Sequence, residues 1–203
     1  RFHHSLHIFG FYTLYLLIKI NIIFFLSIFQ SKSDTFYYSG GCFWCTEQDF
    51  EEFRGVKEVI SGFTGGTTPN PKYYPNQWGD HREAAKVIYD PNKVSFAELV
   101  KHVFNTVDYE DSDGQFCDRG HSYSPAIYYK NNEQKNIIND IAPKTSKVAV
   151  EKETKFYPVR DEHQNFYKKN SLKYYLYKTA CGREKRLKQL KKVKYQKCLF
   201  GEH

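Results

Sequence analysis

Between Asp34 and Lys130 the apolar residues switch between strand and helix spacing in one order: strand, helix, strand, strand, helix, strand. "DTFYYSGG" alternates and ends in a glycine turn, and the stretch from Phe43 to Phe53 suits a helix. "GVKEVISGFTGG" and "EAAKVIYDP" read as the second and third strands. "SFAELVKHVFNTV" opens on Ser95 with Glu98 three residues on, a capping box ahead of an apolar helical face. "PAIYYK" is the fourth strand, "NNEQKNIINDIAP" a helix stopped by Pro143, and "KVAVEKETKFYPV" a further extended segment. That order is the split β-α-β pattern, so the expected fold is α+β: a ferredoxin-like two-layer sandwich. Two long loops interrupt it, residues 65–82 and the stretch "DYEDSDGQFCDRGHSYS". Loops of that length in a compact domain are usually functional or disordered. After Asp161 the chain turns helical and polar, an extension that wraps the domain.

Residues 1–33 stand apart. Ile8 to Phe29 is apolar over a bilayer-spanning length, with Lys19 and Asn21 near its middle, where a charge is costly. A signal peptide or anchor, an organelle-targeting leader and translated non-coding sequence all fit it. The chain contains no methionine, so Arg1 reads as a fragment start or as translated upstream sequence. The compartment follows the leader: organelle or secretory pathway if it is genuine, cytoplasm if not. Membrane association is expected only in the first case. At the other end, Arg183 to Lys197 carries eight Lys or Arg against Glu184 alone, which accounts for the whole net charge of +7. The expected division is a leader (1–33), a catalytic domain (34–182) and a basic tail (183–203). The tail could meet nucleic acid or an anionic surface. No nucleic-acid motif accompanies it, and it is expected to be a solvated helix lying on the domain.

Chemistry concentrates at "SGGCFWCTEQDF", where Cys42 and Cys45 sit three apart. The pair could be a metal knuckle, a redox pair, or one working thiol with a bystander. Five cysteines, an odd count, argue against a complete disulfide framework, so free or reactive thiols are expected. Gly40 and Gly41 lead Cys42 to the start of the helix. Free N–H groups there stabilise an anion and would lower the thiol pKa. Phe43 and Trp44 could wall a small apolar pocket. A zinc site needs four ligands, and Cys117, Cys181 and Cys198 are single, with no Cys or His at ligand spacing. Buried core cysteines are the plainest alternative.

"GGCFWCTE", "GFTGGTTPNPKYY", "DHREAAKVIYDP", "DGQFCDRGHSYSPAIYY" and "FYPVRDEHQNFYKKN" together resemble the peptide-methionine (S)-S-oxide reductase family, the A-type methionine sulfoxide reductases. The blocks occur in the family's order and spacing from about Phe36 to about Leu190. The resemblance implies a nucleophile at Cys42 and an acid, Glu83, that protonates the sulfoxide oxygen. It implies hydroxyls at Tyr73 and Tyr123 that hydrogen-bond that oxygen, Asp118 shaping the site, and Phe43 with Trp44 receiving the S-methyl group. A sulfoxide oxygen leaves poorly until protonated, which calls for a carboxylic acid of raised pKa. The products are methionine and a sulfenic acid that a second thiol converts to a disulfide.

For that second thiol Cys181 ranks first, then Cys45, then Cys198, with Cys117 a packed loop residue. Neither a metal nor an organic cofactor is implied. The implied partners are thioredoxin or another dithiol, and oxidised proteins or free methionine sulfoxide; a monomer is the default. His81 and His121 are taken as structural or surface residues. Asp80 and Ser124 depart from the family's common Gly and Arg, which touches loop shape but no reacting group. Two other function classes compete: a zinc- or anion-binding interaction module, and a general dithiol oxidoreductase that would leave Glu83 without a purpose.

Overall fold

The computed structural model describes Lys19, residues 32–73 and residues 77–200, with side chains as far as residue 191. The leader therefore lies outside the described residues, apart from Lys19, Lys32 and Ser33, as does the side chain of Cys198. Residues from Ser33 onward form one compact unit.

Strand β1 (Asp34–Ser39) runs into helix α1 (Phe43–Glu51) through Gly40 and Gly41. β2 (Val56–Thr64), β3 (Arg82–Tyr89), α2 (Phe96–Thr106) and β6 (Ala126–Tyr129) follow. Between α2 and β6 a small hairpin, β4 (Gly114–Gln115) with β5 (Asp118–Arg119), and a 3-10 turn (His121–Tyr123) occupy the second long loop. The chain continues through α3 (Asn132–Ile141), β7 (Ala149–Lys152), β8 (Tyr157–Pro158), α4 (Phe166–Lys169), α5 (Ser171–Ala180) and α6 (Arg183–Phe200).

The main sheet has the order β7-β6-β1-β3-β2-β8. Its four central strands are antiparallel, with β3 returning between β1 and β2, as the split β-α-β expectation requires. β7 joins parallel to β6, and β8 antiparallel to β2. Register explains the core. Phe36, Val87 and Val59 lie across from one another, as do Tyr38, Ala85 and Ile127. Partners across a sheet share a face, and this face packs against Phe50 of α1, Leu99, Val100 and Val103 of α2 and Ile138 of α3. The Ser95–Glu98 capping box is present in both directions.

The extended 147–159 stretch divides into β7 and β8, and the 4–5 hairpin escaped the sequence pattern because two-residue strands carry no period. The basic segment is more embedded than a solvated helix. Leu190 is buried, and Arg183 is buried against Asp49 of α1, with Nη2 2.5 Å from Asp49 Oδ2 and 2.7 Å from the Thr106 carbonyl. Arg186 pairs with Asp108 and Glu110. Among the described residues no helix is long and apolar enough to cross a membrane.

Candidate active site

Cys42 is the N-cap residue of α1, and the preceding glycine puts it there. Gly41 has φ +90°, and a Cβ on it would lie 2.7 Å from Cβ of the buried Gln115. Gln115 is held in place by Asp108 N–H donating to its Oε1 at 2.7 Å and by its own amide donating to the Asp108 carbonyl. Gly41→Ala is therefore expected to cost about 1–3 kcal/mol in a urea titration and to lower turnover by shifting Cys42. An unchanged melting curve would contradict this account of the turn.

Glu83 reaches the same place from the sheet. Residues 83, 85, 87 and 89 face the helices, so the carboxyl at the head of β3 lies under the start of α1. Its Oε2 accepts from the Phe43 N–H at 2.9 Å. Glu83 is buried. That burial, with the nearby Asp118 charge, raises its pKa to about 8 against the N–H bond that lowers it. The carboxyl therefore carries its proton at neutral pH. The Tyr123 hydroxyl donates to it, and burial pushes that hydroxyl's own pKa up.

The apolar wall is built on Phe43, which is fully buried. Tyr73 stacks on it with ring centroids 5.8 Å apart, and Phe63 meets it edge-on. Trp44 lies flat on Phe166 at 3.8 Å, with His163 beside it at 6.0 Å. Trp44 Nε1 is buried with no acceptor among the described residues. The first long loop holds Tyr73 and Trp78 over this wall. Asp80 ties the loop, accepting from both the N–H and the hydroxyl of Thr67 and of Thr68 at 2.6–2.9 Å. The acid at position 80 is thus a loop clamp. The buried His81 bonds the Gly66 N–H and the Thr68 carbonyl, while His121 bonds the Asp80 carbonyl. Ser124 serves Arg82, whose Nε donates to it at 2.8 Å while the guanidinium pairs with Glu151.

The C-terminal extension closes the site, and it supplies residues that sequence reasoning passed over. Asn165 N–H donates to the Glu47 carboxylate at 2.9 Å. The Tyr174 hydroxyl lies 3.5 Å from Cys45 Sγ. The Tyr177 hydroxyl donates to Asp118 and is within hydrogen-bonding reach of the Cys42 thiol. With 17 tyrosines in the chain, nothing local marks these two. His163 and Phe166 did lie inside a quoted block, where their spacing alone gave no sign of stacking on Trp44.

Two expectations about the cysteines are corrected. Cys117 is exposed rather than packed, and it is disulfide-bonded to Cys181 with Cα atoms 4.8 Å apart. Cys181, ranked first to resolve Cys42, is joined to Cys117 in this structure, while Cys42 and Cys45 are free and buried. The second correction concerns acidity. Cys42 is only 8% exposed, and burial pushes its thiol well up, outweighing the helix start. Cys45 goes the other way: the hydrogen bond with Cys42, then the Arg183 charge, hold it below the usual thiol value. The fifth cysteine, Cys198, has its side chain outside the described residues. A zinc knuckle at Cys42 and Cys45 has no third Cys, His or acidic ligand among the described residues. The one such cluster, Cys117, Asp118 and Cys181, contains the disulfide.

Residues 34–195 match the family described as Peptide methionine sulfoxide reductase. Peptide methionine sulfoxide reductase MsrA 2 of Rhizobium meliloti is 43% identical over 162 residues, covering 75% of this chain and 81% of that protein. The chain belongs to the peptide methionine sulfoxide reductase family. MsrA 2 of Caulobacter vibrioides is 37% identical over 168 residues, covering 78% of this chain and 86% of that one. The solved methionine sulfoxide reductase A of Corynebacterium diphtheriae superposes with a TM-score of 0.62 at 31% identity, covering 71% of this chain and 78% of that one. Membership in this reductase family carries its activity, the thiol-dependent reduction of methionine S-sulfoxide to methionine. The α+β fold is the family's fold.

Proposed function

We propose that Cys42 is the nucleophile of that reaction and Glu83 its acid. The observation that carries this is the Glu83 carboxyl, buried and protonated at neutral pH, bonded to the first N–H after Cys42. Cys42 attacks the sulfoxide sulfur as Glu83 delivers a proton to the oxygen; the hydroxyl so formed passes to Cys42 Sγ as the bond between Cys42 and the substrate sulfur breaks, leaving methionine and a Cys42 sulfenic acid, and the thiol proton restores Glu83. Tyr73 and Tyr123 bring phenols to the same corner, where charge builds on that oxygen. Phe43 and Trp44 receive the methyl group. Asp118 positions Tyr177 beside the thiol. The substrate is methionine S-sulfoxide, free or in oxidised proteins. The disulfide that ends the cycle is reduced by thioredoxin or a like dithiol, and an exposed Cys117 gives such a partner access.

Turnover of the separated S- and R-epimers with dithiothreitol tests this. Activity on the S-epimer alone is expected, abolished in Cys42→Ser. S-epimer turnover surviving in Cys42→Ser would remove the nucleophile assignment.

A further inference from the structure

Three metal-ligating side chains meet at the outer edge of the site, around the Cys117–Cys181 disulfide. Two turns bring this outer pair together. Cys117 shares the two-residue loop between β4 and β5 with Phe116, whose φ of 57° lies in the left-handed region. The Arg183 guanidinium covers that turn, 5.4 Å from the centre of the Phe116 ring. Cys181 is the C-cap of α5, and Gly182 turns the chain away with φ 70°. The Cys117 N–H donates to Cys181 Sγ at 3.2 Å, and Cys117 Sγ lies 3.8 Å from Asp118 Oδ1. Both sulfurs and a carboxylate oxygen of Asp118 stand within 4.8 Å of one another. Asp118 is already oriented, because it accepts from the Tyr177 hydroxyl. Burial pushes its carboxyl above the usual range, a penalty that a cation beside it would relieve. Cys117 is exposed, which gives an ion a way in.

We propose that the reduced outer pair, together with Asp118, is a redox-gated zinc site. An external dithiol breaks the S–S bond and passes two electrons and two protons to the sulfurs. On meeting Zn2+ each thiol gives up its proton and forms a Zn–S bond, and the Asp118 carboxylate forms a third bond. Water fills the fourth position, as in zinc sites with three protein ligands. Two thiolates on one tetrahedral zinc stand ~3.8 Å apart. Cα atoms 4.8 Å apart reach that spacing by rotation about each Cα–Cβ bond. A thiolate pair selects zinc over magnesium or calcium. The Cys117 N–H supports the Cys181 thiolate and the Tyr177 hydroxyl holds the carboxylate, the outer contacts that fix such ligands. Oxidation of the pair joins the two ligand sulfurs to each other and releases the ion, leaving the disulfide of this structure. The chain thus binds zinc when reduced and gives it up when oxidised. The site stands on these three side chains whichever thiol attacks the sulfoxide.

The full chain carrying Cys198→Ser tests this. It is reduced with a water-soluble phosphine, freed of reductant without air, and titrated with Zn2+ against a chromophoric chelator. Co2+ in place of zinc reports sulfur ligands through its charge-transfer band. One equivalent of zinc is expected on the reduced chain and none on the oxidised one. Diamide added to the zinc-loaded chain should release the ion as the Cys117–Cys181 disulfide forms. Tyr177→Phe should weaken binding by ~10–100-fold, the usual cost of losing an outer contact. Cys117→Ser, Cys181→Ser and Asp118→Asn should each weaken it further, and the two cysteine variants should lose part of the cobalt band. Cys42→Ser combined with Cys45→Ser should leave binding unchanged. Equal binding by the oxidised and reduced chains would place the ion elsewhere and overturn the site. So would binding that survives Cys117→Ser but is lost in the Cys42→Ser, Cys45→Ser protein, which would make the inner pair the ligands. A reduced chain that takes up no zinc would overturn it outright. The comparison of redox states needs no further substitution, so it stands even where a variant fails to fold. None of these readouts is S-sulfoxide turnover, so failure of the zinc site and failure of the reductase reading are distinct.

Discussion

Glu83→Gln is expected to slow S-sulfoxide turnover by ~10²–10⁴-fold, the usual contribution of a positioned general acid. Glutamine keeps the size of the side chain and can still accept from the Phe43 N–H, so the turn that places Cys42 should survive. What it lacks is a transferable proton. The pH profiles separate these roles. In the parent, the acid form of Glu83 predominates below about 8, so kcat/KM should fall as pH rises through that value. The variant should show no such limb. Stability gives a second check with a definite sign. Burial raises the folded pKa from 4.5 to about 8, so the folded state binds the proton more tightly than the unfolded one. The favourable contribution is complete below about 4.5, declines as pH rises, and is gone above about 8. The melting temperature of Glu83→Gln should therefore gain on that of the parent across this window. Wild-type rates in the variant, or an alkaline limb identical to the parent's, would reassign the acid to one of the tyrosines.

Part of this site is legible in the sequence: two glycines ahead of Cys42 bring it to the start of a helix. Glu83 is named only by the family resemblance, because an acid at the head of a strand reads by itself as a solvated surface group. Register is what turns its carboxyl to the face of Ala85 and Val87, under the start of α1. The outer disulfide is not local. Cys117 and Cys181 are separated by 64 residues, one in an aperiodic loop and one at a helix end, and no pattern in either segment names the other. Five cysteines permit many pairings. The acidity of Cys42 fails for a related reason. A helix start does favour a thiolate, but only while solvent or a donor supports the charge. The helices after Asn165 cover that start, and their contacts, Asn165 with Glu47 and Tyr177 with Asp118, are tertiary.

Those covering helices depend on one buried ion pair, and breaking it should have the largest effect on stability. Arg183→Ala is expected to cost about 3–5 kcal/mol in a urea titration, the usual penalty when one partner of a buried pair is removed. The side chains of Arg183 and Asp49 are 6% and 9% exposed, so the loss would leave the buried Asp49 carboxylate without its paired guanidinium, with the weaker influence of Lys178 in its place. It would also strip a donor from the Thr106 carbonyl. Burial already pushes the Asp49 pKa up, opposed by the guanidinium. Without Arg183 the carboxyl pKa should rise further, making the variant lose further stability as pH rises. Asp49→Ala added to Arg183→Ala should recover a large part of the loss, because the cost lies mainly in the stranded charge rather than in the bond. The same arginine supports the thiolate of Cys45. Alkylation of Cys45 in the single variant should therefore shift to higher pH, even at temperatures where the protein remains folded. Loss of stability without that shift would make Arg183 a strut of the C-terminal helices alone. Both effects together would show that one buried charge closes the lid and tunes the sulfur beneath it.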